Sequence, residues 1–229
     1  MPPGNWHLFD DASDVAHEAA RRILMAADRA IRKQGRFSIV LAGGGTPEAT
    51  YRLLVDAVAE WSKWHIYFGD ERCLPADDAE RNSVMAASAL LDHVAIPADH
   101  IHPIPAEQGA EAGASAYGLV VADALPFDLV LLGVGEDGHT ASLFPGQLHP
   151  DSELVHAVHD APKPPPDRIS LSRNALSDCR ELLILVTGAG KQQAVTRWKK
   201  GVDLPIANIG AHHAIDILLD RDAAGAHYV

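Results

Sequence analysis

Asp137 and His139 are the two residues in this chain whose types and spacing most directly suggest acid–base chemistry. They lie in Gly133-Val-Gly-Glu-Asp-Gly-His-Thr, directly after the apolar run Phe127 and Leu129 to Leu132. Such a run suits a strand buried on both faces, and open α/β sheets bind ligands where the strands end at their carboxyl side. An imidazole titrates near neutrality, and a neighbouring carboxylate can orient it or support its charged form. Thr140 to Phe144 can form a short helical turn before Pro145 and Gly146 end it. Gly133, Gly135 and Gly138 match the dinucleotide pattern GxGxxG, but that pattern needs a long following helix, which Pro145 interrupts.

A second glycine loop, Leu41-Ala-Gly-Gly-Gly-Thr-Pro47, joins a strand to a helix. Thr46 is a good N-cap and Pro47 a good first helical residue. The free N–H groups of Gly44, Gly45 and Thr46 can serve either a phosphate or no more than a tight capped turn. The loop lacks Gly-Lys-Ser/Thr and so is not a nucleotide P-loop. Asp70-Glu71-Arg72 follows the next strand, with more charge than a turn needs. Arg168 opens a later strand, and Lys191 follows Gly188 and Gly190 at a helix start. Singly each is a plausible surface cation; together with the glycine loop they can clamp a phosphate through charge-assisted hydrogen bonds. His100-x-His102 and His212-His213 lack the cysteine or carboxylate spacing of a metal site, and no metal is expected. Cys73 stands beside Arg72 without a local base, so it reads as an ordinary thiol.

The surrounding elements alternate. A helix capped by Asp11 or Ser13 runs to Gln34, with Val15, Ala19, Ile23, Ala27 and Ala30 as its apolar stripe and Gly35 past its end. A strand follows at 37–42, then a helix to about Glu60. A strand at Trp64 to Phe68 comes next, then a helix from Asn82 to Leu91. A short strand is expected at His100 to Ile104 and a helix at Glu107 to Ala122. Beyond the central strand come strands at Leu154 to Val158, Arg168 to Ser172, Glu181 to Val186 and Ile215 to Leu219. A short helical piece precedes the third of these, and a helix at Gly190 to Lys199 precedes the last. Ala161 to Asp167, with four prolines, is an extended connector. The pattern predicts an open, Rossmann-like α/β fold, a mostly parallel sheet with helices on both faces. The 229 residues are expected to form one domain.

Net charge −12 argues against nucleic acid or an anionic membrane as partner. There is no run of 18 apolar residues, and the first residues lack the basic-then-apolar layout of a secretory signal. Two cysteines, Cys73 and Cys179, fit a reducing cytoplasm better than a disulfide framework. The oligomeric state, monomer or homodimer, is left open.

Taken in order, five motifs resemble the 6-phosphogluconolactonases over nearly the whole chain. They are Ala42-Gly-Gly-Gly-Thr-Pro47; Gly69-Asp-Glu-Arg72 with Pro75 and Asn82; Gly133-x-Gly-x-Asp-Gly-His-Thr-Ala-Ser-Leu-Phe-Pro145; Arg168-Ile-Ser-Leu-Ser; and Gly188-x-Gly-Lys191. The block from Asp137 to Pro145 is the most specific. Two departures stand out: Ala42 and Gly45 replace serines common in that family, and Arg81 replaces the serine that often precedes Asn82. Arg81 then reads either as an added cation near the site or as a surface residue. The resemblance implies hydrolysis of 6-phosphogluconolactone to 6-phosphogluconate, the second step of the oxidative pentose phosphate pathway, without metal or organic cofactor. It implies a fold shared with glucosamine-6-phosphate deaminases and ribose-5-phosphate isomerases. His139 would be the general base, with Asp137 in support. Gly44, Gly45, Thr46, Asp70, Arg72, Arg168 and Lys191 would hold the sugar phosphate. Two other assignments remain in view. A deaminase or isomerase on the same fold would want a carboxylate within Ser142-Leu-Phe-Pro145, and none is there. A non-catalytic sugar-phosphate sensor would not need Asp137 and His139.

Overall fold

A computed structural model describes residues 4–225. The one-domain expectation for 1–229 also covers residues 1–3 and 226–229, which lie outside the described residues, as do the first three residues of the stretch read for a secretory signal. In chain order the elements are β1 (Asn5–Phe9), α1 (Ala12–Gln34), β2 (Phe37–Leu41), α2 (Gly45–Leu54), β3 (Trp64–Phe68), β4 (Asp70–Arg72), α3 (Asn82–Ala89) and α4 (Ala110–Ala124). They continue with β5 (Phe127–Gly133), β6 (Val155–Val158), β7 (Arg168–Leu171), α5 (Arg173–Ser177), β8 (Cys179–Val186), α6 (Gln192–Lys199), β9 (Ala214–Asp220) and α7 (Arg221–Ala224). The main sheet has six strands in the order β1-β9-β8-β5-β2-β3, and every pairing within it is parallel. Helices flank it, which gives the α/β architecture expected from the sequence.

Strand β5 sits inside the sheet between β8 and β2, and its apolar run is buried as the pattern requires. Its one polar interruption, Asp128, is buried too. It accepts hydrogen bonds from the amide of Ser38 at 2.9 Å, from Gln34 at 2.8 Å and from the guanidinium of Arg180 at 3.1 Å. A buried carboxylate with this many donors is compatible with a core strand. Helix α1 begins at an Asp11 cap that accepts from the amide of Asp14 at 2.9 Å, and it ends at Gly35 in the left-handed region. The expected stripe from Val15 to Ala30 is the buried face.

One strand was not expected, and three expectations are corrected. The first strand, Asn5–Phe9, was not visible as a strand: it is a half-exposed edge with no apolar run, held by parallel pairing to β9 and by the Trp6 ring 4.8 Å from that of Trp198. Helix α2 stops at Leu54 rather than near Glu60. Its buried positions Pro47, Thr50, Tyr51 and Leu54 complete the face that packs, and Val58 beyond them is fully exposed. The expected strand at His100 to Ile104 reduces to a single bridge between Ile101 and Ile66. Prolines at 97, 103 and 105 remove the donors a ladder needs. Thr140 to Phe144 is not helical: Thr140 and Leu143 form an isolated bridge.

A second, three-stranded antiparallel sheet, β4-β7-β6, stands beside the main one. It converts Asp70-Glu71-Arg72 from an apparent turn into a strand paired with Arg168 to Ser170. That pairing sets Arg72 opposite Arg168, far apart in sequence, at the rim of the parallel sheet.

Candidate active site

The carboxyl ends of β2, β3 and β5 open into one cavity of about 320 Å³. The β5 loop supplies its reactive group. Asp137 Oδ1 lies 2.5 Å from His139 Nδ1 and also accepts the His139 amide at 3.1 Å. An ionised carboxylate only accepts, so Nδ1 carries the proton and Nε2 keeps its lone pair. No hydrogen bond to Nε2 occurs among the described residues, and His139 lines the cavity. Burial pushes the imidazole below its ordinary pKa, more than the Asp137 carboxylate pulls it back. Burial raises Asp137, but the amide and ring of His139 outweigh it and hold the carboxyl below the usual range. The site thus holds a neutral imidazole with a free nitrogen at neutral pH, the form a general base needs.

Gly135 makes that placement possible. A Cβ there would meet His139 Nδ1 at 2.0 Å and Cε1 at 2.1 Å, so only a residue without a side chain lets the ring lie against the loop. The Phe144 ring sits 4.8 Å from that of His139, centroid to centroid, and the Arg168 guanidinium lies 5.6 Å over Phe144.

The glycine loop after β2 lines the cavity with Gly43 and Gly44. A Cβ on Gly43 would fall 2.1 Å from Asn82 Oδ1, which ties this loop to the start of α3. Helix α2 is capped by Gly44, at φ 106, and not by Thr46. Thr46 is the second residue of the helix, with its hydroxyl 2.6 Å from that of Thr187. Gly45 and Thr46 do not line the cavity, although the first-turn amides of α2 lack intrahelical acceptors.

Asp70 is buried at the cavity wall, where Ser142 Oγ donates to it at 2.7 Å and Asn82 Nδ2 at 3.1 Å. Burial raises its pKa, with the Ser142 hydrogen bond and the charges of Arg168 and Arg72 opposing. Arg72, Arg168 and Lys191 all line the cavity. Arg72 donates Nη1 to the carbonyl of Glu80, and its buried Nε has no hydrogen-bond partner among the described residues. Burial lowers Lys191, with Glu136 opposing. Arg168 is more committed than a free anion ligand would be: Nε donates to Pro165 O at 3.2 Å, and Nη2 donates to the carbonyls of Lys163 and Pro164 at 3.0 Å each.

Arg81 is not a surface residue, and it does not line the cavity. It is buried, with Nη1 2.9 Å from Glu107, Nη2 donating to Ile104 O at 2.7 Å and Nε 3.4 Å from the buried Glu71. Several lining residues escaped the sequence reading of the site, Lys163 and Asn82 among them. Lys163 was hidden in the proline-rich connector, and Asn82 was noted only as a motif match. Among the described residues no group of three His, Cys, Asp or Glu side chains could hold a metal ion.

The main sheet is thus an open parallel α/β sheet with a carboxylate–imidazole pair and several cations at its carboxyl edge. The family model described as glucosamine-6-phosphate isomerases/6-phosphogluconolactonase matches residues 10–218, and the chain belongs to that family. A 6-phosphogluconolactonase of Mycobacterium tuberculosis is 41% identical over 236 residues, which is 95% of this chain and 96% of that protein. The structure of 6-phosphogluconolactonase from Trypanosoma cruzi superposes with a TM-score of 0.88 at 26% identity, covering 100% of this chain and 98% of that one. A monomeric glucosamine-6-phosphate deaminase of the NagB superfamily shares the fold, with a TM-score of 0.84 over 96% of this chain and 98% of its own, at 23% identity.

Proposed function

We propose that this chain hydrolyses 6-phospho-D-glucono-1,5-lactone to 6-phosphogluconate, with residues 1–229 acting as one catalytic domain in the cytoplasm. The observation that carries the reading is His139, which lines a cavity rimmed by Arg72, Arg168 and Lys191 and has Asp137 Oδ1, itself outside the lining, 2.5 Å from its Nδ1. A lactone is an activated ester, so water can attack it without a covalent enzyme intermediate. His139 Nε2 takes a proton from the water as its oxygen bonds to the ring carbonyl carbon. Asp137 stabilises the imidazolium that results. Amides of the glycine loop at Gly43 and Gly44 face the oxyanion that develops. The intermediate then collapses, the bond from carbonyl carbon to ring oxygen breaks, and the imidazolium returns its proton to that departing oxygen. The products are a carboxylic acid and a hydroxyl, and His139 is neutral again.

The phosphate is assigned to the cationic rim, with Lys191 as a direct contact. No carboxylate stands between Ser142 and Pro145 to support the ring opening and enolisation of a deaminase. The test is turnover of freshly prepared 6-phosphogluconolactone, followed by proton release, with glucosamine 6-phosphate as the competing substrate. His139→Gln should lose on the order of 10²- to 10⁴-fold in kcat while still binding 6-phosphogluconate. Lys191→Ala should weaken use of the phosphorylated lactone by about 10- to 150-fold and largely spare glucono-lactone. Ammonia release from glucosamine 6-phosphate without lactonase activity would overturn the reading.

A further inference from the structure

Segment 161–167 reads APKPPPD and carries a lysine among four prolines. Only Ala161, Lys163 and Asp167 have an amide hydrogen, so the segment cannot hold itself in place by a backbone ladder. One internal bond, from the Ala161 amide to Pro166 O at 3.0 Å, closes it into a loop. The carbonyls of Lys163, Pro164 and Pro165 turn instead to a single side chain. The Arg168 fork donates to all three, at 3.0, 3.0 and 3.2 Å. Arg168 is itself fixed, buried at the start of β7 and laid over Phe144. Clipped this way, the exposed segment brings Lys163 to the wall of the same cavity as His139 and Lys191. The positive charge of Lys163 contributes to lowering the pKa of both those groups, so it lies within electrostatic reach of each.

We propose that Lys163 is a further substrate-binding residue, donating to the phosphate of the sugar-phosphate lactone. In this arrangement Arg168 is its positioning residue, holding segment 161–167 through three carbonyls. The inference rests on the lactonase reading for the nature of the ligand. It divides the work of the cationic rim: Lys191 and Lys163 meet the anion, and Arg168 spends two of its three nitrogens on the strap. A lysine at position 168 would keep the charge but lose the planar fork that reaches three carbonyls.

The experiment is a double-mutant cycle on Lys163→Met and Arg168→Lys. It is read by calorimetric binding of 6-phosphogluconate and of inorganic phosphate, with hydrogen exchange of the 161–167 amides alongside. Lys163→Met should weaken both ligands by about tenfold or more, as expected for loss of a charge-assisted contact. Arg168→Lys should weaken them to a similar degree, and the double variant should be no worse than the weaker single within about threefold. Exchange at the Ala161 amide, which closes the loop onto Pro166 O, should accelerate in Arg168→Lys and not in Lys163→Met. Unchanged binding by Lys163→Met overturns the contact, and multiplying effects overturn the positioning role. Lys163 is exposed, so its variant carries the test if Arg168→Lys does not fold. A wild-type protein that shows this Lys163 dependence but does not hydrolyse the lactone would sink the lactonase reading and leave the inference standing. A protein that hydrolyses the lactone with Lys163→Met unaffected would sink the inference alone, and one that binds neither ligand would sink both.

Discussion

Gly135→Ala is a single added methyl whose effect on catalysis can be worked out from the structure. Its Cβ would start 2.0 Å from His139 Nδ1, and the ring must retreat by about 1.4 Å to reach the 3.4 Å of ordinary contact. Phe144 limits retreat on one side, and the 2.5 Å bond to Asp137 does not survive a shift of that size unless the carboxylate follows. Gly135 has no positive φ, so alanine is allowed by the backbone and the whole effect falls on the ring. A displacement of about 1 Å in a catalytic group costs roughly 10²-fold. Gly135→Ala should therefore lower kcat on 6-phosphogluconolactone by about 10²-fold, with binding of 6-phosphogluconate nearly unchanged because the phosphate groups are not touched. Gly118→Ala is the matched control. It lies inside α4, nothing is within 4 Å of its Cβ, and the helix should gain about 0.5–1 kcal/mol at full activity. Steady-state kinetics and urea unfolding on the two variants decide the matter. Near-normal turnover by Gly135→Ala would show that His139 does not act from the position described.

Three further outcomes are expected. The kcat/KM of glucono-lactone hydrolysis, a substrate with no phosphate of its own to titrate, should fall as pH drops through a limb below about 6.5. Burial holds His139 under its ordinary value, and the base is lost only when the ring protonates; a limb above that value would contradict this. Arg81→Met should cost roughly 3 kcal/mol or more in urea unfolding, because it leaves the buried Glu71 without its cation; unchanged stability with a loss confined to substrate binding would return Arg81 to the site. Activity should survive exhaustive chelation and dialysis, since the groups assigned to the reaction are an imidazole, a carboxylate and backbone amides; recovery on added zinc or magnesium would refute that assignment.

What was legible in the sequence follows from how local the cause is. Helix α1 shows its cap, its stripe and its terminal glycine within its own residues, and β5 shows burial on both faces in one apolar run. Asp137 and His139 could be paired from sequence because two positions apart on a glycine turn is a local geometry. The edge strand at Asn5–Phe9 has no such signature, since its strand character comes from β9, more than 200 residues away. The same holds for Asp70 to Arg72. Three consecutive charges look like a solvated turn until partners distant in sequence satisfy them. Glu71 accepts the amides of Arg72, Asn82 and Ser83 at 3.0, 2.7 and 2.9 Å, and Asp70 takes Ser142 and Asn82.

The cations divide along the same line, and the division bears on function. Arg81 was offered as a site residue or a surface one because its sequence neighbours are charged and polar. Its true partners, Glu71 and Glu107, make it a buried brace beneath the cavity. Lys163 was passed over because four prolines mark a connector, yet those prolines leave the carbonyls that Arg168 captures. In a protein of net charge −12, the cations that reach an anion are those whose own carboxylates are elsewhere or outnumbered. Among the described residues lining this cavity Asp70 is the one carboxylate, against the cations Arg72, Lys163, Arg168 and Lys191. Cations therefore outnumber carboxylates in the cavity wall, with Glu136 and Asp137 within electrostatic reach of Lys191. That is the electrostatic condition a phosphorylated lactone requires, and it is set by tertiary placement that neither the composition nor any single motif displays.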